Sequence, residues 1–286
     1  AIVMPGSGNS AVFDIARSIK MRFSLTPMVV LTPFSHGINK RMEHEDLSIF
    51  EYVFCWLGNT ELLLSIIKLM EDKMNLDQDI QAAGVQMILL VEDSIRFYSS
   101  ILPNLYRYVL EQMQAFATEG LNVQQSKLRK RGRPKIVLAR NYEEAEALYR
   151  KYPDHVMGVI SDARYPRCGQ IDPQAGLRLL AAIRAKDEFI PLVLQSSETQ
   201  NAEMAGLCGA TFIDKNSKTM DLELRRVVDH EFGFGDLVFR NPDTGEELVR
   251  VRNLRDLQDN IFTIPADALL QRITRNHISR WLCSRA

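Results

Sequence analysis

Four short apolar runs, each followed by a side chain that can carry chemistry, constrain this chain most. The runs and the residues that follow them are 87–91 with Glu92 and Asp93, 158–161 with Asp162, 191–194 with Ser196, and 211–213 with Lys215. Short apolar runs bounded by turn signals are typical of the inner strands of a parallel sheet. Because parallel strands joined by helices point the same way, we expect these side chains to meet at one edge.

The side chains at that edge suit a metal ion and a phosphoryl group. Carboxylates held close together repel one another unless a cation lies among them, and Mg²⁺ is the oxygen-binding cation expected first. An ammonium and a hydroxyl beside it can hold phosphoryl oxygens. Taken alone, Asp162 is more typical of an aspartate that caps the next turn or helix. Its neighbours favour the site.

The order and spacing of these motifs resemble the receiver domain of two-component response regulators. The matching stretches are Val91-Glu92-Asp93, Ser161-Asp162-Ala163-Arg164-Tyr165-Pro166, Gly176-Leu177-Arg178-Leu179-Leu180, Leu194-Gln195-Ser196-Ser197 and Ile213-Asp214-Lys215-Asn216. The resemblance covers about half the chain, residues 86–231. It implies an α/β fold, a flavodoxin-like, doubly wound, parallel five-stranded sheet.

The resemblance also implies a role for each residue. Asp162 would accept a phosphoryl group from a histidine kinase or a phosphotransfer protein. Ser196 and Lys215 would contact the phosphoryl oxygens, and Phe212 would be the aromatic switch residue. The implied ligands of Mg²⁺ are Glu92, Asp93, Asp162 and the backbone carbonyl of Arg164.

The chain departs from the family pattern in two places. The family usually has a proline after the lysine, often with a cis bond, whereas this chain has Asn216. The stretch between the first helix and the second strand is also longer than usual. We expect the first departure to affect the geometry around Lys215 and the second to form a specialised partner surface.

The first 75 residues contain a partial repeat of the receiver pattern. Residues 27–32 align with 191–196, and 52–56 with 211–215, at nearly the same offset. In this copy the acceptor position falls on Ala1 and the lysine position on Trp56, so only the hydroxyl of Thr32 is kept. We interpret it as a truncated, degenerate receiver-like unit that serves packing or dimerisation.

The sequence therefore predicts several segments. They are the degenerate unit 1–75, a linker 76–85, the receiver domain 86–232, and a small α+β connector 233–286 that comprises a hairpin and helices. The connector resembles the one that joins tandem receivers to a phosphoenolpyruvate synthase-like or pyruvate phosphate dikinase-like domain. The abrupt start and end indicate a fragment of such a fusion protein.

Composition agrees with an ordinary globular protein. The 286 residues suggest about two domains, and the net charge of −1 points to neither nucleic acid nor membrane. The four cysteines are scattered without metal-ligand spacing, which suggests a reducing compartment. No apolar run is long enough for a membrane span and no signal segment opens the chain. We therefore expect a cytoplasmic location.

A basic stretch precedes the second receiver strand. Lys127, Arg129, Lys130 and the tetrapeptide Arg131-Gly132-Arg133-Pro134 belong to it, and the tetrapeptide resembles the AT-hook that enters the DNA minor groove. Because a single tetrapeptide is a weak motif, we favour a solvated loop over DNA binding.

Two functional hypotheses follow. In the first, the chain is the phosphoacceptor of a two-component phosphorelay and switches a downstream effector domain. In the alternative, it is a non-phosphorylated pseudo-receiver scaffold of a phosphoenolpyruvate-utilising enzyme. The acid set around Asp162 favours the first hypothesis. Neither hypothesis makes this segment a stand-alone enzyme, and both allow a homodimer.

Overall fold

The computed structural model describes residues 1–5, 11–33, 47–118, 132–274 and 276–284. The chain divides into two compact units. The first contains Ala1–Met70 and Ser94–Pro103, and the second contains Glu71–Asp93 and Asn104–Ala286.

Strands and helices alternate along most of the chain. In chain order they are β1 (Ile2–Val3), α1 (Ala11–Arg22), β2 (Val29–Pro33), β3 (Tyr52–Trp56), α2 (Glu61–Ala83), β4 (Met87–Val91), α3 (Ile95–Thr118), β5 (Lys135–Ala139), α4 (Tyr142–Lys151), β6 (Val156–Asp162), β7 (Tyr165–Arg167), β8 (Gln170–Asp172), α5 (Ala175–Arg184), β9 (Leu192–Ser196), α6 (Asn201–Leu207), β10 (Thr211–Asp214), α7 (Met220–His230), β11 (Leu237–Arg240), β12 (Glu247–Val251), α8 (Leu254–Asn260), α9 (Ala266–Thr274) and α10 (His277–Cys283).

The second unit is built on a parallel sheet of five of these strands. Their order is β5-β4-β6-β9-β10, with every neighbouring pair parallel. This is the flavodoxin-like order, in which the chain reverses direction across the sheet between the first and third strands. The predicted fold class is therefore confirmed. All five residues of β4 are buried, as expected for an inner strand covered on both faces.

One face of this sheet packs against α4 and α5. The core on that face includes Ala145 and Tyr149 of α4 together with Leu177, Leu180 and Ile183 of α5. Asn141 caps the start of α4, because its side-chain oxygen accepts a hydrogen bond from the Glu144 backbone nitrogen at 2.8 Å.

Helix α2 is longer than the sequence indicated. Residues 76–83, predicted as part of a linker, continue it without a break. Leu76 and Ile80 lie one turn apart and are buried in the core of the second unit, which explains why this polar stretch is helical. Within the described residues, no helix combines the length and apolar character needed to cross a bilayer.

A small hairpin follows β6. The sequence predicts a turn closed at Pro166 and a helix from Asp172, but β7 and β8 pair antiparallel there and the helix begins at Ala175. The hairpin turns at Cys168 and Gly169, both of which have positive φ. Since a positive φ is uncommon outside glycine, this two-residue turn was difficult to predict at Cys168.

The first unit contains its own parallel sheet. Among the described strands its order is β1-β2-β3. The sheet packs against α1 through a core that includes Phe13, Ala16, Met28, Val30 and Val53.

The segment 233–286 forms the predicted hairpin and helices. Strands β11 and β12 are antiparallel, and Trp281 lies fully buried in the core beneath them. The second predicted helix, 265–283, is interrupted before α10, where Asn276 adopts a left-handed conformation with φ of 55°. The Trp281 indole nitrogen donates to the Gly235 carbonyl at 3.0 Å, which closes the segment on itself.

Gly158 of β6 allows the ring of Phe232 to lie directly against this strand. A Cβ on Gly158 would come within 2.3 Å of the Phe232 Cε1 atom. Because Phe232 is fully buried, its ring has no room to move. We expect Gly158→Ala to lower the free energy of unfolding by about 1–3 kcal/mol, the usual cost of overpacking. Urea denaturation measures this change, and wild-type stability would contradict the packing described.

Asp72 of α2 anchors strand β5 through a buried network. It accepts hydrogen bonds from the Arg133 guanidinium, the Tyr106 hydroxyl and the Ile136 backbone nitrogen. The Lys135 ammonium lies 3.8 Å from Asp72 and 2.6 Å from Asp79. Burial alone would lower the pKa of Arg133, but the hydrogen bonds and charge of Asp72 outweigh it and raise that pKa.

This network changes the interpretation of the basic stretch. Residues 127–131 lie outside the described residues, but Arg133, the second arginine of the AT-hook-like tetrapeptide, is buried and bound to Asp72. A side chain in that position is not available to the DNA minor groove. Arg133 therefore has a structural role, and the expectation of a solvated loop is wrong at this residue.

Candidate functional site

Three carboxylates meet at the carboxyl edge of the central sheet. Glu92 and Asp93 directly follow β4, and Asp162 ends the neighbouring strand β6. One carboxylate oxygen from each lies within 4.8 Å of the other two. The apolar runs that precede them are buried in the sheet, so the three acids are held at a fixed edge rather than on a free loop.

The ammonium of Lys215 reaches this cluster from β10, the edge strand two positions away from β6. Lys215 follows β10, and its Nζ atom lies 2.6 Å from Glu92 Oε2 and 2.9 Å from Asp162 Oδ1. The Lys215 side chain is 3% exposed and that of Asp162 is 13% exposed. These ion pairs are therefore shielded from solvent, where charges interact more strongly than at a surface.

The negative charge of the third carboxylate, Asp93, is less well balanced by nearby positive charges. Its half-buried position raises the pKa above the ordinary value, and the nearby Asp162 charge raises it further. Lys215 and Arg164 lower this pKa, but the net direction is upward. The group is therefore ionised less readily than a free aspartate unless another positive charge joins the cluster.

Gly176 allows helix α5 to approach the backbone of Asp162 and Ala163 closely. A Cβ at this position would lie 2.0 Å from the Asp162 carbonyl oxygen and 3.0 Å from the Ala163 Cα atom. The Gly176 nitrogen also donates to the Ala163 carbonyl at 3.0 Å. Gly176 lies in one of the matching motifs, but no role was predicted for it, because a close approach cannot be recognised from sequence alone.

Ser196 ends β9 beside the cluster and is held by the loop that follows. Its hydroxyl accepts hydrogen bonds from the Glu198 backbone nitrogen at 3.0 Å and from the Asn201 side chain at 2.9 Å. The hydroxyl is therefore bonded to the start of α6. The predicted contact of Ser196 with a phosphoryl oxygen stays a prediction.

The remaining predicted residues surround the cluster. Phe212 of β10 is half-buried and packs on the core beneath α5, and Arg164 is exposed two residues after Asp162. Asn216, which replaces the usual proline, donates from its side chain to the Ser197 carbonyl at 3.1 Å. This bond ties the loop that carries Lys215 to the loop that follows Ser196.

The donor set fits a hard divalent cation. Three carboxylates face the ammonium of Lys215 in the described part of the pocket, so negative charge is in excess. Oxygen ligands in such number suit Mg²⁺, which keeps several waters and takes a few carboxylates from the protein. Glu92, Asp93 and Asp162 are the residues that could hold it.

Comparison with known protein families gives no match. No family model matches the chain, and no curated protein is similar to it.

Two solved structures are similar to about half of the chain. A response regulator receiver domain protein from Clostridium thermocellum is 18% identical and has a TM-score of 0.33, covering 49% of this chain and 90% of that one. The CheX-CheY-BeF3-Mg+2 complex from Borrelia burgdorferi gives 20% identity and a TM-score of 0.32, covering 50% of this chain and 89% of that one.

Proposed function

We propose that this chain is a phosphoacceptor module in which Asp162 receives a phosphoryl group with the help of Mg²⁺. The observation that carries the proposal is the cluster of Glu92, Asp93 and Asp162, whose carboxylate oxygens lie within 4.8 Å of one another beside Lys215. Buried carboxylates gathered around an ammonium are costly for stability unless they serve a bound charge. A divalent cation would provide that charge, and the cation together with the Lys215 ammonium would attract the negative phosphoryl group.

The reaction needs little covalent chemistry from the protein. An Asp162 carboxylate oxygen forms a bond to phosphorus while the bond from phosphorus to the donor breaks, and the donor group leaves with the electron pair. The groups that would hold Mg²⁺ are the three acids and the Arg164 backbone carbonyl, and the bound ion would neutralise charge on the phosphoryl oxygens. Lys215 and Ser196 orient the incoming group, so catalysis is mainly positioning and electrostatics.

The negative charge of the phosphoryl group would then alter the hydrogen bonds of the adjacent loops. Ser196 is bonded to Asn201 at the start of α6, and Asn216 is bonded to the Ser197 carbonyl. A hydroxyl drawn towards the phosphoryl group would have to loosen the Asn201 bond. We infer that this exchange shifts the 198–216 surface, together with Phe212, towards a second packing that a downstream effector recognises.

The expected donor is a phosphohistidine of a kinase or phosphotransfer protein, and the expected location is the cytoplasm. The parallel order of β1-β2-β3 supports the interpretation of the first unit as a degenerate partial copy. Its edge carries Trp56 where the second unit has Lys215. The proposal for 233–286 is a connector to an effector such as a phosphoenolpyruvate synthase-like domain.

A direct test uses a small donor. The protein incubated with acetyl phosphate and Mg²⁺ is expected to gain the mass of one phosphoryl group, and the gain should vanish in Asp162→Asn or with excess chelator. Asp214→Asn is the matched control, because Asp214 ends a neighbouring strand outside the acid cluster. Wild-type protein that gains no mass under these conditions would favour the scaffold alternative.

A further inference from the structure

Gln195 of β9 is a buried amide that has no hydrogen-bond partner in the described part of the chain. Its side chain is fully buried, and neither the amide oxygen nor the amide nitrogen makes a hydrogen bond among the described residues. Buried side-chain polar groups are nearly always bonded, and each exception needs an explanation. An apolar residue of similar size would fill the same space at no such cost in stability.

The strand register brings this amide beside the acceptor. Gln195 pairs with Asp162 of β6 on one side and with Ile213 of β10 on the other. Residues that pair across parallel strands point to the same face, and neighbouring strands lie roughly 5 Å apart. Gln195 and Asp162 therefore share a face of the sheet as immediate neighbours.

The Lys215 side chain extends past β9, the strand that carries Gln195. It begins after β10 and ends at Asp162 on β6, and β9 lies between these two strands. The lysine thus crosses the end of the strand that carries Gln195. Two uncharged oxygen acceptors lie at this end of β9, the Ser196 hydroxyl and the Gln195 amide. The hydroxyl already accepts two hydrogen bonds, whereas the amide oxygen accepts none from the described residues.

We propose that Gln195 is a positioning residue for Lys215 during phosphoryl transfer, an inference that rests on the function proposed above. In the unmodified site the Lys215 ammonium forms ion pairs with Glu92 and Asp162. When a phosphoryl group forms on Asp162, the ammonium turns towards the phosphoryl oxygens and leaves its place between the two acids. The Gln195 amide oxygen then accepts a hydrogen bond from the ammonium and fixes the new orientation. A neutral amide suits this role because it leaves the positive charge of the lysine intact.

The test replaces Gln195 by methionine, which is similar in size and has no amide. We expect Gln195→Met to be at least as stable as the wild type in urea, because an unpartnered polar group is removed. Its rate of phosphorylation by acetyl phosphate with Mg²⁺ should nevertheless fall about tenfold, the loss of one hydrogen bond to a charged group. Gln174→Met, at an exposed position, is the matched control and should change neither quantity.

The combination of retained stability and slower transfer separates positioning from packing. A Gln195→Met protein phosphorylated at the wild-type rate would overturn the inference and leave the amide as the site of a buried water. Wild-type protein that is never phosphorylated would overturn the proposed function together with this inference. Loss of both stability and rate in Gln195→Met would also contradict it, since the amide would then be a structural partner in the unmodified state.

Discussion

Replacing Asp72 by alanine is expected to lower the free energy of unfolding by about 3–5 kcal/mol, the usual cost of breaking a buried ion pair from one side. Asp72 is fully buried and bonds Arg133, Tyr106 and the Ile136 backbone nitrogen. Without it, the Arg133 guanidinium remains in the interior with no carboxylate, and the edge strand β5 loses its anchor to α2. Urea denaturation followed by circular dichroism measures the change.

Asp79→Ala on the same helix is the matched control. Asp79 bonds Lys135 at 2.6 Å, but its side chain is 32% exposed. Because exposed ion pairs contribute little, we expect a loss of about 1 kcal/mol or less. Equal losses in the two variants would show that burial of Asp72 is not what makes its ion pair important.

Gly176→Ala is expected to displace Asp162 and so to impair the proposed phosphoacceptor site. The new Cβ would lie 2.0 Å from the Asp162 carbonyl oxygen, so either the start of α5 or the end of β6 must move. Overpacking of this kind costs about 1–3 kcal/mol in stability. A displaced acceptor should also slow phosphorylation by about a hundredfold, since small misplacements of reacting groups have large effects.

Gly206→Ala provides the control for this substitution. Gly206 is also helical, in α6, and a Cβ there would meet no atom within 4 Å. We expect a slight gain in stability, because alanine favours helix more than glycine does. Phosphorylation at the wild-type rate in Gly176→Ala would contradict the close approach of α5 to Asp162.

The sheet could be predicted because each of its strands is specified by a short contiguous stretch of sequence. Each inner strand is an uninterrupted apolar run such as 87–91, and the polar residue at its end marks the edge. A parallel arrangement then brings Glu92, Asp162 and Lys215 together without further information. The distances at the site agree with that geometry, whereas the roles of these residues stay predictions.

Features that depend on distant partners or on unusual backbone could not be predicted. Asp72 looks like an ordinary surface acid of a helix, because its partner Arg133 lies 61 residues away. The β7–β8 hairpin depends on a positive φ at Cys168, which no common turn motif indicates. By contrast, the spacing of Leu76 and Ile80 was a helical signal in the predicted linker that its polar composition obscured.

The most direct test of the account is to identify the residue that carries the phosphoryl group. After reaction with acetyl phosphate and Mg²⁺, borohydride reduces an acyl phosphate to the corresponding alcohol, and peptide mass analysis locates the changed residue. We expect the reduced residue to be Asp162 alone. The reduction should depend on Mg²⁺ and be absent in Asp162→Asn. Modification at another residue, or none at Asp162, would contradict the proposal that Glu92, Asp93, Asp162 and Lys215 form a phosphoacceptor site.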